Sequence, residues 1–303
     1  MSDALSTPAR TQLRVSVLVK EISTFRSIDS EALFKDDDGP VPSKELYFPV
    51  IDRLKFADIR IVGSCNGLIC LLFGWCIPVI MLWNPCTRES KVLPKPPLED
   101  HSLFCPFFGF GYDSTTDDYK VIVGNFRGIS RIGSGYEDIV LYTVITGSWR
   151  KLQRLNHKLF GYGCLVNGAL HWVWLLLVIA NKLMSFDLTE DKFHEIAYPY
   201  YPIPIGKYRY LIASEGKFRN SLFSYSRGPG LEFNMWVMKE AGVEKSWNEV
   251  IKIQREVLPV PADHDLLWSP LCISNDGVTL IIVRDAAAYD DPWFLTLYNP
   301  KEN

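Results

Sequence analysis

This chain of 303 residues carries no surplus of either charge, no paired cysteines and no sustained helical amphipathicity, and each absence closes a class of function. Lys and Arg together number 32 against 35 for Asp and Glu, a net charge of −3, so nothing attracts a polyanion and nucleic acid is not an expected partner. The seven cysteines are odd in number and form no disulfide framework, which fits a reducing compartment. Asn-x-Ser/Thr sequons are missing, and residues 1–15 lack the apolar run of a signal peptide. Together these absences lead us to expect a cytoplasmic or nuclear protein. Gly67 to Trp83 is uncharged, yet Gly74 and Pro78 interrupt it and Asn66-Gly67 and Asn84-Pro85 flank it, so it reads as two strands and a turn. Leu170 to Ala180 is too short to span a bilayer, and no membrane partner is expected.

Catalytic signatures are missing as well. His101, His157, His171, His194 and His264 form no His-Glu-x-x-His motif, and there is no Gly-x-Ser-x-Gly elbow or Walker loop. Cys65 and Cys70 have the wrong spacing for a zinc half-site and read as buried thiols. Gly128 to Gly135, with Arg127 and Arg131, resembles a phosphate cradle only superficially, because no helix follows it. Asp113, Asp117 and Asp118, like Asp290 and Asp291, stand in turn contexts where Asp is common for local hydrogen bonding. His171, beside Trp172 and Trp174 on an apolar strand, reads as a satisfied core histidine. We therefore expect no catalytic, cofactor-binding or metal-binding residue.

A repeated pattern stands in their place. An apolar strand, a turn of fixed chemistry and a strand re-entering on an aromatic or aliphatic residue recur at Leu82 to Arg88, Leu141 to Trp149, Met184 to Phe193, Trp236 to Trp247 and Leu295 to Pro300. The copies are roughly 45 to 60 residues apart, the period of four-stranded propeller blades. Asn66-Gly67, Asn167-Gly168 and Asp276-Gly277 each separate two apolar runs and supply the positive φ of two-residue hairpins. In Asn84-Pro85-Cys86-Thr87 the proline presets φ, and the asparagine is placed to accept an N–H two residues on. Gly147 supplies positive φ before Trp149, whose indole is placed to pack on a neighbouring blade.

The remaining segments fit an all-β chain. Residues 1–12 read as a flexible tail, Leu13 to Leu18 as a first strand, and Asp36 to Pro40 as an exposed acidic turn. Glu249 to Leu258 comes closest to helical spacing but reads as strand from its neighbours. Tyr198 to Ile205 and Gly124 to Gly135 read as loops between strands or blades. Strand patterning resumes on both sides of each, so 13–303 is expected to be a single domain.

In order along the chain, Ser64 to Leu71, Leu82 to Glu89, Gly109 to Asp113, Asp118 to Val121, Tyr142 to Arg150 and Val166 to Trp172 resemble the motifs of the plant F-box-associated domain. Ser185 to Asp187 with Phe193, Trp236 to Lys239, Ser246-Trp247, Pro270 to Cys272 and Leu297 to Pro300 continue the series, best over 59–303. The resemblance implies a kelch-related β-propeller that captures target proteins behind an F-box in an SCF-type ubiquitin ligase. The F-box helices have no counterpart ahead of Leu13, so adaptor and cullin are expected as partners only if an F-box is supplied. The family's closing strand has no counterpart after Asn303, so the propeller is expected to be incomplete at both ends. The apolar turn Phe73 to Pro78 and the stretch Ile212 to Phe233 also depart from the family pattern. The resemblance implies a protein-recognition module; because loops tolerate variation while a blade supplies rigidity, loops such as Gly124 to Gly135, Tyr198 to Lys207 and Arg227 to Glu232 are expected to carry its contacts. Two other readings stay open: a glycan-binding or hydrolytic propeller enzyme, which requires paired carboxylates in a concave pocket, and a non-functional truncated paralogue.

Overall fold

A computed structural model describes residues 16–20, 25–29, 43–47, 59–74, 79–98, 106–128, 135–155, 159, 161–173, 182–197, 209–214, 221–227, 233–238, 247–253, 266–273, 279–285 and 294–298. The described residues contain strands and turns but no helix. In chain order, β1 (Ser16–Lys20), β2 (Phe25–Asp29) and β3 (Ser43–Leu46) form one sheet. The strands β4 (Ile59–Cys65), β5 (Leu68–Phe73), β6 (Val79–Trp83) and β7 (Ser90–Val92) form the second. A third sheet contains β8 (Pro106–Asp113), β9 (Asp118–Gly128), β10 (Gly135–Thr143) and β11 (Ser148–Lys151), with β12 (Gly161–Tyr162) parallel to β8 at its edge. The fourth is β13 (Cys164–Val166), β14 (Ala169–Val173), β15 (Lys182–Asp187) and β16 (Lys192–Ala197). Two more follow: β17 (Arg209–Ser214), β18 (Ser221–Arg227), β19 (Phe233–Met238) and β20 (Trp247–Ile253), then β21 (Leu266–Ile273), β22 (Thr279–Asp285) and β23 (Phe294–Tyr298).

The chain divides into two compact units. One contains Tyr47–Tyr201 and with it the second, third and fourth sheets; the other contains Gln12–Leu46, Pro202–Ala241 and Lys245–Asn303 and with them the remaining three. Apart from β12, pairing is antiparallel throughout, with register shifts in the β4–β5, β19–β20 and β21–β22 pairs.

In the first unit, β8 shows how sequence sets packing. Phe108 and Phe110 join a core with Val62, Leu72, Ile80 and Leu82 of the second sheet. Phe107, one residue out of phase, joins Leu170, Trp172 and Phe186 of the fourth. The third sheet is therefore buried on both faces. Gly109 and Gly111 lie on the Phe107 face because the fourth sheet fills the space a side chain would need: a Cβ on Gly109 would meet Trp172 at 2.7 Å, and one on Gly111 would meet Leu188 at 2.6 Å. The alternation Phe-Gly-Phe-Gly thus puts bulk on one face and close approach on the other. Trp83, Trp172, Tyr142, Phe107, Phe110 and Phe186 are fully buried, each contributing on the order of 1.5–3 kcal/mol as apolar burial.

Most expected strands are present, including the two read across Gly67 to Trp83 and β20 where helical spacing was weakly suggested. The loop expected at Gly124 to Gly135 is corrected: β9 runs on to Gly128 and β10 starts at Gly135, opposite it in register. Gly124 is a strand glycine, because the ring of Phe107 occupies its Cβ position at 1.9 Å. Its glycine signals close approach between sheets rather than a turn. The tail 1–12, the acidic turn 36–40, Asp276-Gly277, Asp290-Asp291, His101, His157, His264 and the run 198–207 lie outside the described residues.

Candidate functional site

Six turns of the first unit lie at one end of its sheets. Asn66-Gly67 and Asn167-Gly168 have φ of 48° and 80°, and 51° and 75°, the left-handed pair that a two-residue hairpin needs. The other four share one design, at Asn84–Arg88, Asp113–Asp117, Thr143–Gly147 and Asp187–Asp191. In each the fifth residue takes positive φ: Arg88 67°, Asp117 53°, Gly147 65° and Asp191 56°. The first residue caps the turn where it is Asn or Asp. Asn84 Oδ1 accepts the N–H of Cys86 and Thr87 at 3.0 and 3.2 Å. Asp113 Oδ1 accepts the Thr115 N–H at 2.9 Å, and Asp187 Oδ1 those of Thr189 and Glu190 at 2.7 and 3.0 Å. The recurrent sequence pattern is thus a recurrent turn with its own side-chain cap. At Thr143–Gly147 the Gly147 N–H donates to the Thr143 carbonyl at 3.0 Å, as the Arg88 and Asp191 N–H groups do to the Asn84 and Asp187 carbonyls at 2.8 and 2.9 Å.

Pairing places these turns together. Ile69 opposite Trp83, Thr143 opposite Lys120 and Ala169 opposite Asp187 bring the two turns of each sheet side by side. The hydrogen bond of Asn66 to Tyr119 joins the second and third sheets at this end. The opposite ends of the strands, where β9 meets β10 and β16 leaves Lys182, carry the connections 129–134 and 198–208.

The third and fourth sheets meet at the turn end through a buried ionic cluster. Lys120 Nζ donates to Asp113 Oδ2 and Asp191 Oδ1, both at 2.9 Å, and to the Leu188 carbonyl. Its three donors are thereby used. Asp113 Oδ2 also accepts from Thr116 Oγ1 at 2.8 Å, and Oδ1 from Thr189 Oγ1 at 3.4 Å. Arg150 pairs with Asp191 from the exposed side. The Asp113 and Lys120 side chains are 0% and 4% exposed. Burial pushes the Asp113 carboxyl up, but hydrogen bonds from Lys120, Thr116 and Thr115 outweigh it and the group titrates below the usual carboxylate range. Burial lowers Lys120, and its bonds to Asp113 and Asp191 reverse that, leaving it raised. Sequence reasoning placed Asp113 in a turn and missed both Lys120 as its partner and Asp191 as the second carboxylate on that lysine. The available signal was a lysine in the same strand phase as buried Ile122, because a buried cation requires a buried anion.

His171 is buried on β14, 3.3 Å from the Cys164 carbonyl through Nδ1 and 3.4 Å from Ser185 Oγ through Nε2. Burial pushes it down to about 4, so it is neutral and satisfied, as expected from its strand. Cys70 is fully buried and its thiol is pushed up by burial. Cys65 is only half-buried, a departure from the expectation, because it closes β4 at the hairpin; burial raises it to about 11. Trp149 does reach the neighbouring sheet: its indole donates to the Pro94 carbonyl at 2.8 Å. Among the described residues no three His, Cys, Asp or Glu side chains converge as a metal site. Of the loops expected to carry contacts, 129–134, 198–207 and 228–232 lie outside the described residues.

A family model described as the F-box associated beta propeller domain matches residues 31–303. An F-box/kelch-repeat protein of Arabidopsis thaliana is 27% identical over 239 residues, covering 76% of this chain and 60% of its own. A second Arabidopsis thaliana F-box protein is 30% identical over 226 residues, covering 66% and 53%. Arabidopsis thaliana F-box protein CPR1 is 27% identical over 291 residues, covering 88% and 66%. The chain therefore spans about half to two thirds of the length of these relatives. Among solved structures, a mutant of the lectin from Aleuria aurantia with alpha-methyl-L-fucoside superposes with a TM-score of 0.51 at 11% identity, covering 93% of each chain. That likeness shows the β-propeller fold alone. No helix among the described residues is long and apolar enough to cross a membrane.

Proposed function

Since the chain belongs to the F-box associated beta propeller family, we propose that it is the target-recognition part of a ubiquitin ligase of SCF type. The observation that carries this reading is the match over 31–303, supported by relatives that are F-box proteins. We place 13–303 in one domain and 1–12 in a tail, because the match crosses both compact units without a break. The protein holds its targets and performs no chemistry on them; adaptor and cullin join only through an F-box, and the setting is cytoplasmic or nuclear. The geometry fits a scaffold. At the turn end, Asn84, Asp113, Asp187, Asp191 and Arg150 are committed to capping turns or to one another. The strands carry their longer connections at the other end, and loops on a rigid frame are where recognition is placed.

The test is retention of proteins from plant extract by this chain and by a fusion carrying a standard F-box at its N-terminus. Adaptor and cullin retained by the fusion alone, with the same third protein retained by both, is the expected result. A fusion that retains adaptor and cullin while neither form retains a specific third protein would overturn the reading.

A further inference from the structure

We propose that the cluster of Lys120, Asp113 and Asp191 is a matching key that selects which sheet packs against the third one. The sheets of the first unit are built alike, each with an apolar face and the same capped five-residue turn, so hydrophobic matching discriminates poorly between neighbours. Their polar contacts differ. Between the second and third sheets they include Trp149 Nε1 to the Pro94 carbonyl at 2.8 Å, Asn66 to Tyr119, and two cations that meet aromatic side chains of the third sheet, Arg60 at Tyr162 and Lys91 at 6.0 Å from the centre of the Tyr142 ring. Between the third and fourth, beside the neutral bonds of Trp172 to the Phe108 carbonyl and Thr115 to Thr189, they include a buried pairing of a cation with carboxylates: Lys120 Nζ at 2.9 Å from both Asp113 Oδ2 and Asp191 Oδ1.

Asp113 and Lys120 are both on the third sheet, and Asp191 comes from the β15–β16 turn of the fourth. With any other sheet docked there, Lys120 loses Asp191 and the Leu188 carbonyl, and two of its three buried donors are left without those acceptors. The fifth turn position is Arg88 in the second sheet and Gly147 in the third sheet's other turn, neither of which supplies an anion. A buried ion pair adds little net stability over an apolar replacement, whereas a mismatched one is costly, so its best-attested use is in choosing partners and register.

A disulfide reporter tests this in the full chain. The Thr115 and Thr189 hydroxyl oxygens are 3.4 Å apart across the two sheets, so Thr115→Cys with Thr189→Cys should cross-link on mild oxidation. The bond is identified by mass mapping, since Cys86 and other native thiols are present. The same pair is then placed in a background of Lys120→Met, Asp113→Asn and Asp191→Asn, which keeps the turn caps and removes the charges. A key predicts that cross-link yield falls at least fivefold while the far-UV β-sheet signal stays unchanged. Unchanged yield overturns the proposal. Loss of the β-sheet signal also overturns it, by making the cluster a stability element. A milder Asp191→Asn background alone should give an intermediate yield, and a yield equal to wild type there counts against the key.

Discussion

Trp172 Nε1 donates to the carbonyl of Phe108 at 3.0 Å, so a side chain of the fourth sheet completes the hydrogen bonding of a strand in the third. The same carbonyl accepts the Gly163 N–H at 2.7 Å, and the Phe107 ring meets the Trp172 ring edge-on at 5.3 Å. Trp172→Phe removes the indole donor and part of the volume while leaving the Gly163 bond in place. The expected loss is about 1–3 kcal/mol, combining one hydrogen bond with a small cavity. Urea unfolding checks it, and a midpoint equal to wild type would show the indole contributing nothing.

Glycine in a strand interior makes a second, sharper prediction. At Gly124 an added methyl would sit 1.9 Å from the Phe107 ring, and at Gly109 one would meet Trp172, Leu170 and Ile122 at 2.7 to 3.0 Å. Gly124→Ala alone should destabilise by about 1–3 kcal/mol or more, as overpacking does. Phe107→Leu should relieve part of that cost, so the double variant is expected to be less destabilised than the sum of the two singles. Strict additivity in a double-mutant cycle would show that Phe107 is not what excludes the methyl.

The capped turns can be tested by exchanging the cap. Asp187 is half-buried and accepts two turn N–H groups, as Asn84 does in its own turn. Asp187→Asn keeps an acceptor and should change stability by less than about 0.5 kcal/mol. Asp187→Ala leaves both amides to solvent and should cost about 1 kcal/mol. Equal midpoints for the two variants would remove the cap from the account of the fold.

Titration of His171 gives the stability an acid limb. Its ordinary value of 6.5 is lowered by burial to about 4, so between these pH values the unfolded chain binds a proton that the folded chain does not. Stability contributed by keeping it neutral is complete above about 6.5 and is lost as pH falls towards 4, by about 3 kcal/mol at most. Asp113, also lowered, adds a loss that begins as pH falls into the ordinary carboxylate range and continues below it. His171→Gln should flatten the curve between pH 6.5 and 4 and leave the steeper fall below it; an unchanged curve in denaturant midpoints would assign the acid limb elsewhere.

The turns and the alternation of strands were legible because they are local: Asn-Gly pairs, Asn84 and Gly147 declare their backbone geometry in the residues themselves. His171 was legible for the same reason, from the apolar strand around it. Two features were hidden. Gly124 looked like a loop signal because sequence cannot show that Phe107, seventeen positions earlier, lies across the ladder and fills its Cβ space. Asp191 looked like a turn residue because its partner Lys120 is 71 positions away, and only the packing of two sheets brings them to 2.9 Å. Such spacings carry no periodicity, so they are decided by tertiary structure alone.

Target capture is expected to reside at the end of the strands opposite the capped turns. Gly128 pairs with Gly135, so β9 and β10 are fixed up to both ends of the connection 129–134, and its six residues can be exchanged without altering the ladder below. Replacing 129–134 by Gly and Ser should leave the unfolding midpoint unchanged and abolish retention of the target by the F-box fusion. Replacing the exposed turn residues Thr146 and Ser148 by Ala at the other end should leave retention intact. The opposite pattern, with retention surviving the loop exchange and lost on the turn substitutions, would move the recognition surface to the turn end.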